Sequence, residues 1–212
     1  KFRVAHSAYL CVMIRVGIIG GGQLGMMTIE AKYPSLPVEF TVLEQSKDCP
    51  AGTIAQNVIE GSLQSNEDIR QLAAQSDVIT WEIEHINVDV LIALEKEGKT
   101  IIPKPSVLKT IQDKGTQKQF FTQHNIPTAP YILTHINQIT PQQLNQFPGE
   151  MVVLKTRTGG YDGKGVSIVS KSQLPHESPF QGDVLIESFI PNALEIAIIV
   201  AIGQDGEHAV YP

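Results

Sequence analysis

The sequence predicts an α/β protein in which a domain with a parallel, doubly wound sheet precedes an α+β part with antiparallel strands. In the first half, short apolar runs alternate with amphipathic helical stretches, which is the pattern of a parallel sheet covered by helices. In the second half, strand-like runs follow one another with few helices between them, which is typical of antiparallel pairing. The length of 212 residues fits this division into two domains.

The elements of the first half follow from its apolar runs and helix-capping residues. A helix at 66–75 begins at Asn66 as its N-cap residue, and a helix at 88–97 ends at Gly98. The segment LGMMTIEA, which follows the first glycine loop, also predicts a helix. Strands are predicted at 16–19, 39–43, 57–60, 77–81 and 100–102.

The second half begins where Pro103 and Pro105 punctuate the chain, and we predict a domain boundary at 103–106. One helix is predicted over 106–124 with Ser106 as its N-cap residue, and a short helix is predicted within 141–149. Strands are predicted at 131–133, 151–156, 166–170, 184–187 and 195–202.

Composition excludes several classes of protein. The formal net charge is -6 and no basic run is present, which argues against nucleic acid or an anionic membrane surface as a partner. No apolar run reaches the roughly 18 residues that a membrane-spanning helix needs. Cys11 and Cys49 form no C-x-x-C pair, so we expect two reduced thiols and a cytoplasmic location.

The first glycine loop lies in the segment GIIGGGQLG, where Gly20, Gly22 and Gly25 match the spacing G-x-G-x-x-G. A predicted strand precedes the loop and a predicted helix follows it, which is the context in which this motif binds phosphate. Glu44 ends the next apolar run, as the acidic residue of an NAD-binding fingerprint does. From these residues alone, the segment predicts a dinucleotide such as NAD.

The second glycine loop lies in VVLKTRTGGYDGKGVSIV, between two predicted strands. Four glycines allow its backbone N–H groups to turn toward an anion, and Lys155 and Lys164 add positive charge. It is not a P-loop, because Thr158 and Gly165 stand where that motif requires glycine and a hydroxyl residue. The segment therefore predicts a hairpin lid over a triphosphate.

Five segments together carry a resemblance to a known family: TRTGGYDGKG, GIIGGGQLG, DVITWEIEH, IQDKGTQKQFF and NIPTAPY. They resemble the ATP-grasp enzymes of purine biosynthesis, above all the carboxyaminoimidazole ribonucleotide synthases, the ATP-dependent part of phosphoribosylaminoimidazole carboxylase. The resemblance implies a Rossmann-like pre-ATP-grasp domain at 13–105 and an incomplete α+β ATP-grasp domain at 106–212. It also implies that the first glycine loop helps to hold a ribonucleotide rather than NAD.

The resemblance implies a reaction as well. ATP phosphorylates bicarbonate to carboxyphosphate, and the amine of aminoimidazole ribonucleotide then takes the carboxyl group. Its implied cofactors are ATP and Mg²⁺, and its implied assembly is a homodimer. Three alternatives remain open: another ATP-grasp ligase, chiefly the formate-dependent glycinamide ribonucleotide transformylase with its serine-rich lid; an NAD-linked oxidoreductase; and a non-catalytic nucleotide-binding module.

Site residues are carried over from the family position by position. Lys155 and Lys114 would contact the ATP phosphates, Glu187 would accept from the adenine amino group, and Glu195 would accept two hydrogen bonds from the ribose diol. The catalytic set is Lys155, Tyr161 and Asp162, and the substrate-binding set is Gln23, Leu24 and Glu82. The ATP-binding set is Lys114, Lys155, Gly160, Tyr161, Asp162, Gly163, Lys164, Gly165, Glu187, Ser188, Phe189, Ile190 and Glu195.

The resemblance bears on both ends of the chain. Met13 could be the natural start, so we expect residues 1–12 to be an appendage. The family continues beyond HAVYP, and the segment that follows carries its magnesium ligands. We therefore expect no metal site within this chain, and we expect the 212 residues by themselves to be inactive.

Overall fold

The computed structural model describes residues 12–32, 34–160, 163–203 and 205–211. Among them, two compact units form: one comprises 12–126 with 157–160, and the other comprises 127–156 with 163–211. The predicted appendage lies outside the described residues except for Val12. The predicted domain boundary at 105 stays a prediction, since the first compact unit continues to residue 126.

The first unit is built on a five-stranded sheet in the order β3-β2-β1-β4-β5, and every pairing in it is parallel. This confirms the predicted parallel, doubly wound architecture. Its strands are β1 (Ile14–Ile19), β2 (Val38–Glu44), β3 (Asn57–Glu60), β4 (Val78–Trp81) and β5 (Thr100–Ile101). Its helices are α1 (Gln23–Glu30), α2 (Asn66–Ala74), α3 (Val88–Lys96), α4 (Pro105–Gln112) and α5 (Lys114–Gln123).

Both faces of this sheet are buried, which explains why its strands read as continuous apolar runs. Successive side chains of a strand point to opposite faces. Accordingly, Ile19 belongs to one apolar cluster with Leu43 and Ile79, whereas its neighbour Ile18 belongs to a second cluster with Phe40 and Val42. The burial of both faces fixes the carboxyl ends of the strands, where the first glycine loop lies.

Helix α2 begins at Asn66, as predicted, but its N-cap residue is the preceding one. The N-cap residue is Ser65, whose hydroxyl accepts a hydrogen bond from the N–H of Asp68 at 3.2 Å. Asn66 is the first helical residue, so the prediction that it caps the helix was wrong. Serine and asparagine are equally good N-cap residues, and sequence alone does not separate neighbours of this kind.

The cap makes a testable difference between the two residues. We expect Ser65→Ala to lower the free energy of unfolding by about 1 kcal/mol, because the N–H of Asp68 loses its acceptor. Asn66→Ala should change it by less than about half as much, because alanine is a better helix former inside the helix. Urea unfolding followed by circular dichroism measures both. Equal losses in the two variants would contradict the assignment.

The prediction of a single helix over 106–124 is also wrong. Two helices occupy the segment, α4 with Lys104 rather than Ser106 as its N-cap residue, and α5 with Asp113 as its N-cap residue. Asp113 has extended backbone angles, φ -116° and ψ 105°, which a continuous helix does not allow. The helical conformation is therefore interrupted at Asp113, between Gln112 and Lys114.

The second unit contains an antiparallel four-stranded sheet in the order β6-β9-β7-β8, as the sequence predicted. The predicted strand over 195–202 is shorter, since only Ile199–Ile202 is extended, and the predicted helix within 141–149 ends at Leu144. The strands are β6 (Tyr131–His135), β7 (Met151–Thr156), β8 (Val166–Ser170) and β9 (Asp183–Ser188), with a separate hairpin of β10 (Ile199–Ile202) and β11 (His208–Tyr211). The short helix is α6 (Pro141–Leu144).

One face of this sheet forms the core of the second unit. Val152, Leu154 and Ile186 lie on this face and are fully buried in one apolar cluster. The opposite face carries Lys155 and Glu187, since these residues alternate with the core residues along β7 and β9. None of the helices within the described ranges is both long and apolar enough to cross a bilayer.

Candidate active site

The first glycine loop joins β1 to α1, and two carboxylates of the same unit hold it. The N–H of Gly21 donates to Glu44 Oε2 at 2.8 Å, and the N–H of Gly22 donates to Glu82 Oε1 at 2.9 Å. Gly20 has a φ of +101°, and a Cβ there would lie 2.7 Å from Glu82 Cγ. Glycine is therefore required at this position for two reasons, backbone conformation and the close approach of Glu82.

These hydrogen bonds argue against a dinucleotide at this loop. In an NAD site, the acidic residue after the second strand binds the ribose, and the loop N–H groups face the pyrophosphate. Here Glu44 and Glu82 accept from the N–H groups of Gly21 and Gly22. The arrangement accordingly favours the hypothesis that the loop binds a ligand other than a dinucleotide.

The predicted substrate-binding residues lie together at this edge of the sheet. Glu82 follows β4 at its carboxyl end, where ligands bind in open α/β sheets. Gln23 and Leu24 open α1 directly after the glycines, and Leu24 is exposed. Glu82 is bonded to Gly22, the residue before Gln23. The structure thus brings the three residues to one loop, and their contact with a substrate stays a prediction.

Two glutamines hold residues 82–87, which we call the substrate loop after the predicted role of Glu82. The Nε2 of Gln64 donates to the carbonyl of His85 at 2.7 Å. The Nε2 of Gln112 donates to the carbonyls of Glu84 and Ile86 at 2.7 and 2.8 Å. Neither glutamine is among the predicted site residues. Gln64 lies in the turn before α2 and Gln112 is the last residue of α4, and amide donors so far apart along the chain form no sequence pattern.

A cavity of about 570 Å³ opens beside this loop, and all of its lining lies in the first unit. Lys114 and Gly160 are the predicted ATP-binding residues that line it. The substrate loop contributes Glu84, His85 and Ile86. At the lining, Lys109 forms an ion pair of 2.7 Å with Asp89. The cavity therefore combines carboxylates, amides and lysines, a lining suited to a polar, charged ligand.

The second glycine loop, which we call the lid after its predicted role, joins β7 to β8, and the structure describes its residues 157–160 and 163–165. Its ends are closed by the N–H of Thr156, which donates to the carbonyl of Gly165 at 2.9 Å. Gly159, Gly163 and Gly165 have φ values of +74°, +76° and +81°, so the lid uses conformations that favour glycine. The predicted residues Tyr161 and Asp162 lie outside the described part of the chain.

Lys155 and Glu187 form an ion pair on the second unit's sheet, between Nζ and Oε1. Glu187 is only 5% exposed, and the side chain of Lys155 is 26% exposed. The family resemblance implies different roles for them, Lys155 at the ATP phosphates and Glu187 at the adenine amino group. The structure pairs the two side chains, so each offsets the charge of the other. Their contacts with ATP stay predictions.

The remaining predicted ATP-binding residues lie at the end of β9, between β9 and β10, or in the lid. Ser188 ends β9 and donates its N–H to the carbonyl of Pro130 at 3.0 Å. Lys164 is exposed in the lid, Ile190 is exposed after β9, and Glu195 is exposed before β10. Phe189 joins Ser188 to Ile190 along the chain. Their contact with a nucleotide stays a prediction.

No metal centre is assembled in the described ranges, where no group of three or more His, Cys, Asp and Glu side chains is placed to hold an ion. In the substrate loop, His85 Nε2 lies 3.8 Å from Glu84 Oε1. A pair of this kind offers too few ligands for a metal site.

Comparisons with known proteins agree with this geometry. Residues 13–112 match the family described as "Ribonucleotide synthetase preATP-grasp domain", and residues 119–212 match the family described as "ATP-grasp domain". The N5-carboxyaminoimidazole ribonucleotide synthase of Synechococcus elongatus is 34% identical over 200 residues, which are 93% of this chain and 50% of that protein.

Solved structures show the same similarity. The N5-carboxyaminoimidazole ribonucleotide synthetase of Thermotoga maritima superposes with a TM-score of 0.81 at 38% identity, over 94% of this chain and 52% of that one. The Aspergillus clavatus synthase in complex with ADP and 5-aminoimidazole ribonucleotide has a TM-score of 0.77 at 28% identity, over 94% and 52%. The chain spans about half the length of these relatives. The chain therefore combines a pre-ATP-grasp domain with an ATP-grasp domain, in that order, and it is homologous to the N5-carboxyaminoimidazole ribonucleotide synthases over about half of their length.

Proposed function

We propose that the protein carboxylates 5-aminoimidazole ribonucleotide with bicarbonate and ATP, giving the N-carboxyamino ribonucleotide, ADP and phosphate. The observation that carries the proposal is the lid. Its glycines take the conformations that a close-fitting loop needs, and Lys155 stands where the lid begins. The Aspergillus clavatus relative, determined with ADP and this ribonucleotide, matches 94% of the chain and supports the same substrates here.

The proposed reaction has two steps. An oxygen of bicarbonate attacks the γ-phosphorus of ATP, the bond to the bridging oxygen breaks, and ADP leaves. The amine of the ribonucleotide then attacks the carbon of carboxyphosphate, the carbon–oxygen bond breaks, and phosphate leaves with a proton lost from nitrogen. Both steps build negative charge on phosphate oxygens, which lysines stabilise.

Water exclusion gives the lid a function. Carboxyphosphate is a mixed anhydride that water destroys, so the site has to be closed while it exists. A glycine lid can close over the phosphates without a Cβ clash, and its N–H groups can face their oxygens. We propose that Lys155, Lys114 and lid residues 160–165 bind the phosphates, with Tyr161 and Asp162 near the imidazole.

The other substrate contacts follow from position. Glu187, Ser188, Phe189, Ile190 and Glu195 are proposed to meet adenosine. Gln23, Leu24 and Glu82 are proposed to meet the ribonucleotide. Phosphoryl transfer of this kind uses Mg²⁺, and we assign that ion no ligand among the described residues. We also propose a cytoplasmic homodimer, as the family resemblance implies, and light scattering of the purified protein tests the dimer.

Phosphate release tests the proposed function. The full-length protein is incubated with ATP and either aminoimidazole ribonucleotide plus bicarbonate or glycinamide ribonucleotide plus formate. We expect rapid phosphate release with the first pair only. Release with the second pair only would assign the protein to the formate-dependent transformylases. No release with either pair would favour a binding role without catalysis.

A further inference from the structure

At the interruption between α4 and α5, two neighbouring side chains make different sets of hydrogen bonds. Gln112, the last residue of α4, donates to two carbonyls of the substrate loop. Asp113, the next residue, accepts from the N–H groups of Gly115 and Thr116 at 2.8 and 3.2 Å and so caps α5. Both hydrogen-bond sets depend on the extended backbone at Asp113.

Asp113 also binds the first residue of the lid. The Nε of Arg157 donates to both carboxylate oxygens of Asp113, at 2.9 and 3.0 Å. The carbonyl of Arg157 accepts from the N–H of Lys114 at 2.9 Å. The start of the lid is therefore attached to the start of α5 twice, once by side chains and once by backbone.

The charges support this attachment. Burial raises the pKa of Asp113, but the hydrogen bonds from Arg157, Thr116 and Gly115 together lower it by more. The pKa of Asp113 therefore lies below the usual range of an aspartate. The carboxylate therefore keeps its negative charge at neutral pH. Arg157 is partly covered, with 35% of its side chain exposed, which favours a persistent contact over a solvated one.

We propose that Asp113 is a positioning residue, which through Arg157 fixes the start of the lid beside Lys114 and, with Gln112, beside the substrate loop. The proposal rests on the proposed function for its catalytic consequence. The same cavity is lined by Gln112, Asp113, Lys114, Thr158, Gly159 and Gly160. A lid that starts from a fixed point can close reproducibly over a reactive intermediate, whereas a loosened lid admits water.

Asp113→Asn separates the two contacts of the carboxylate. Asparagine is as good an N-cap residue as aspartate, so the N–H groups of Gly115 and Thr116 keep an acceptor. Its amide nitrogen, however, faces the guanidinium of Arg157 as a second donor, and the ion pair is lost. Arg157→Gln removes the same contact from the other side. Glu97→Gln is the matched control, because it removes a two-bond pair with Arg70 elsewhere in the first unit.

Amide hydrogen exchange reads the position of the lid without any need for activity. We expect both Asp113→Asn and Arg157→Gln to speed exchange of the Lys114 N–H about tenfold. Each variant loses the ion pair between Arg157 and Asp113, which holds the carbonyl of Arg157 in place as the acceptor of that N–H. Exchange at Gly115 and Thr116 should stay nearly unchanged in Asp113→Asn, and Glu97→Gln should leave all three amides unchanged. Unchanged Lys114 exchange in both variants would overturn the proposal.

The coupling ratio reads the catalytic consequence. It is the phosphate released per ribonucleotide carboxylated, and it does not depend on how much of the enzyme is folded. We expect a ratio near one in the parent protein, a rise of several-fold in both single variants, and no further rise in the double variant. A parent ratio kept in both variants, with altered exchange at Lys114, would overturn the link between the contact and lid closure.

The two claims fail separately. A parent protein that releases no phosphate in response to the ribonucleotide would refute the proposed function. The exchange measurement would still decide whether Asp113 and Arg157 position the start of the lid, because it needs neither ATP nor turnover.

Discussion

Lys155→Met is expected to abolish most of the ATP-dependent phosphate release and to destabilise the protein at the same time. The activity should fall by about 10²–10³-fold, since one cation that stabilises the transferring phosphoryl group is lost. The stability should fall by about 3 kcal/mol, because Glu187, with a side chain only 7% exposed, loses its ion pair with Lys155. Urea unfolding and a phosphate assay measure the two effects.

A double variant separates the two roles of Lys155. In Lys155→Met with Glu187→Leu, both charges are replaced by apolar side chains, which is often neutral for stability. We expect the double variant to recover most of the lost stability and none of the lost activity. A double variant that recovers activity would contradict a role for Lys155 at the phosphates, and one that stays unstable would contradict the importance of the pair.

Gly20→Ala is expected to lower the free energy of unfolding by about 2–4 kcal/mol. About 1 kcal/mol comes from placing an L-residue at the φ of +101°, and the rest comes from the clash of its Cβ with Glu82, 2.7 Å away. Because Glu82 has to move, the Gly22 N–H loses its acceptor, and the Michaelis constant for the ribonucleotide should rise.

Gly98 supplies the control for this variant. It has a φ of +92°, and a Cβ there would meet nothing within 4 Å. Gly98→Ala should therefore cost only about 1 kcal/mol and leave the kinetics unchanged. Equal losses in the two variants would show that backbone conformation alone requires Gly20, and that Glu82 does not hold the loop.

Sequence predicted the strands well because their patterns are local. The apolar runs of the first sheet are buried on both faces, and the alternation along β7 and β9 separates a core face from a polar one. Both patterns can be recognised in the sequence itself, as can the glycines of the lid. The parallel and antiparallel halves were predicted correctly on that basis.

The missed features depend on contacts between distant residues. No proline interrupts residues 106–124, so the break at Asp113 is not marked, although Gly115 within a helical stretch is a local hint. The ion pair of Lys155 with Glu187 depends on the pairing of two strands, and the binding of Glu44 to Gly21 depends on the sheet order. No spacing along the chain encodes these two contacts.

The most direct test of the proposed reaction follows the oxygen of bicarbonate. The full-length protein is supplied with ATP, aminoimidazole ribonucleotide and ¹⁸O-labelled bicarbonate, and the released phosphate is analysed by mass spectrometry at early times. If carboxyphosphate forms, the oxygen that attacked the γ-phosphorus leaves with phosphate, so each phosphate should carry one ¹⁸O. Unlabelled phosphate would mean that water, not bicarbonate, attacks ATP, and would contradict the proposed carboxylation.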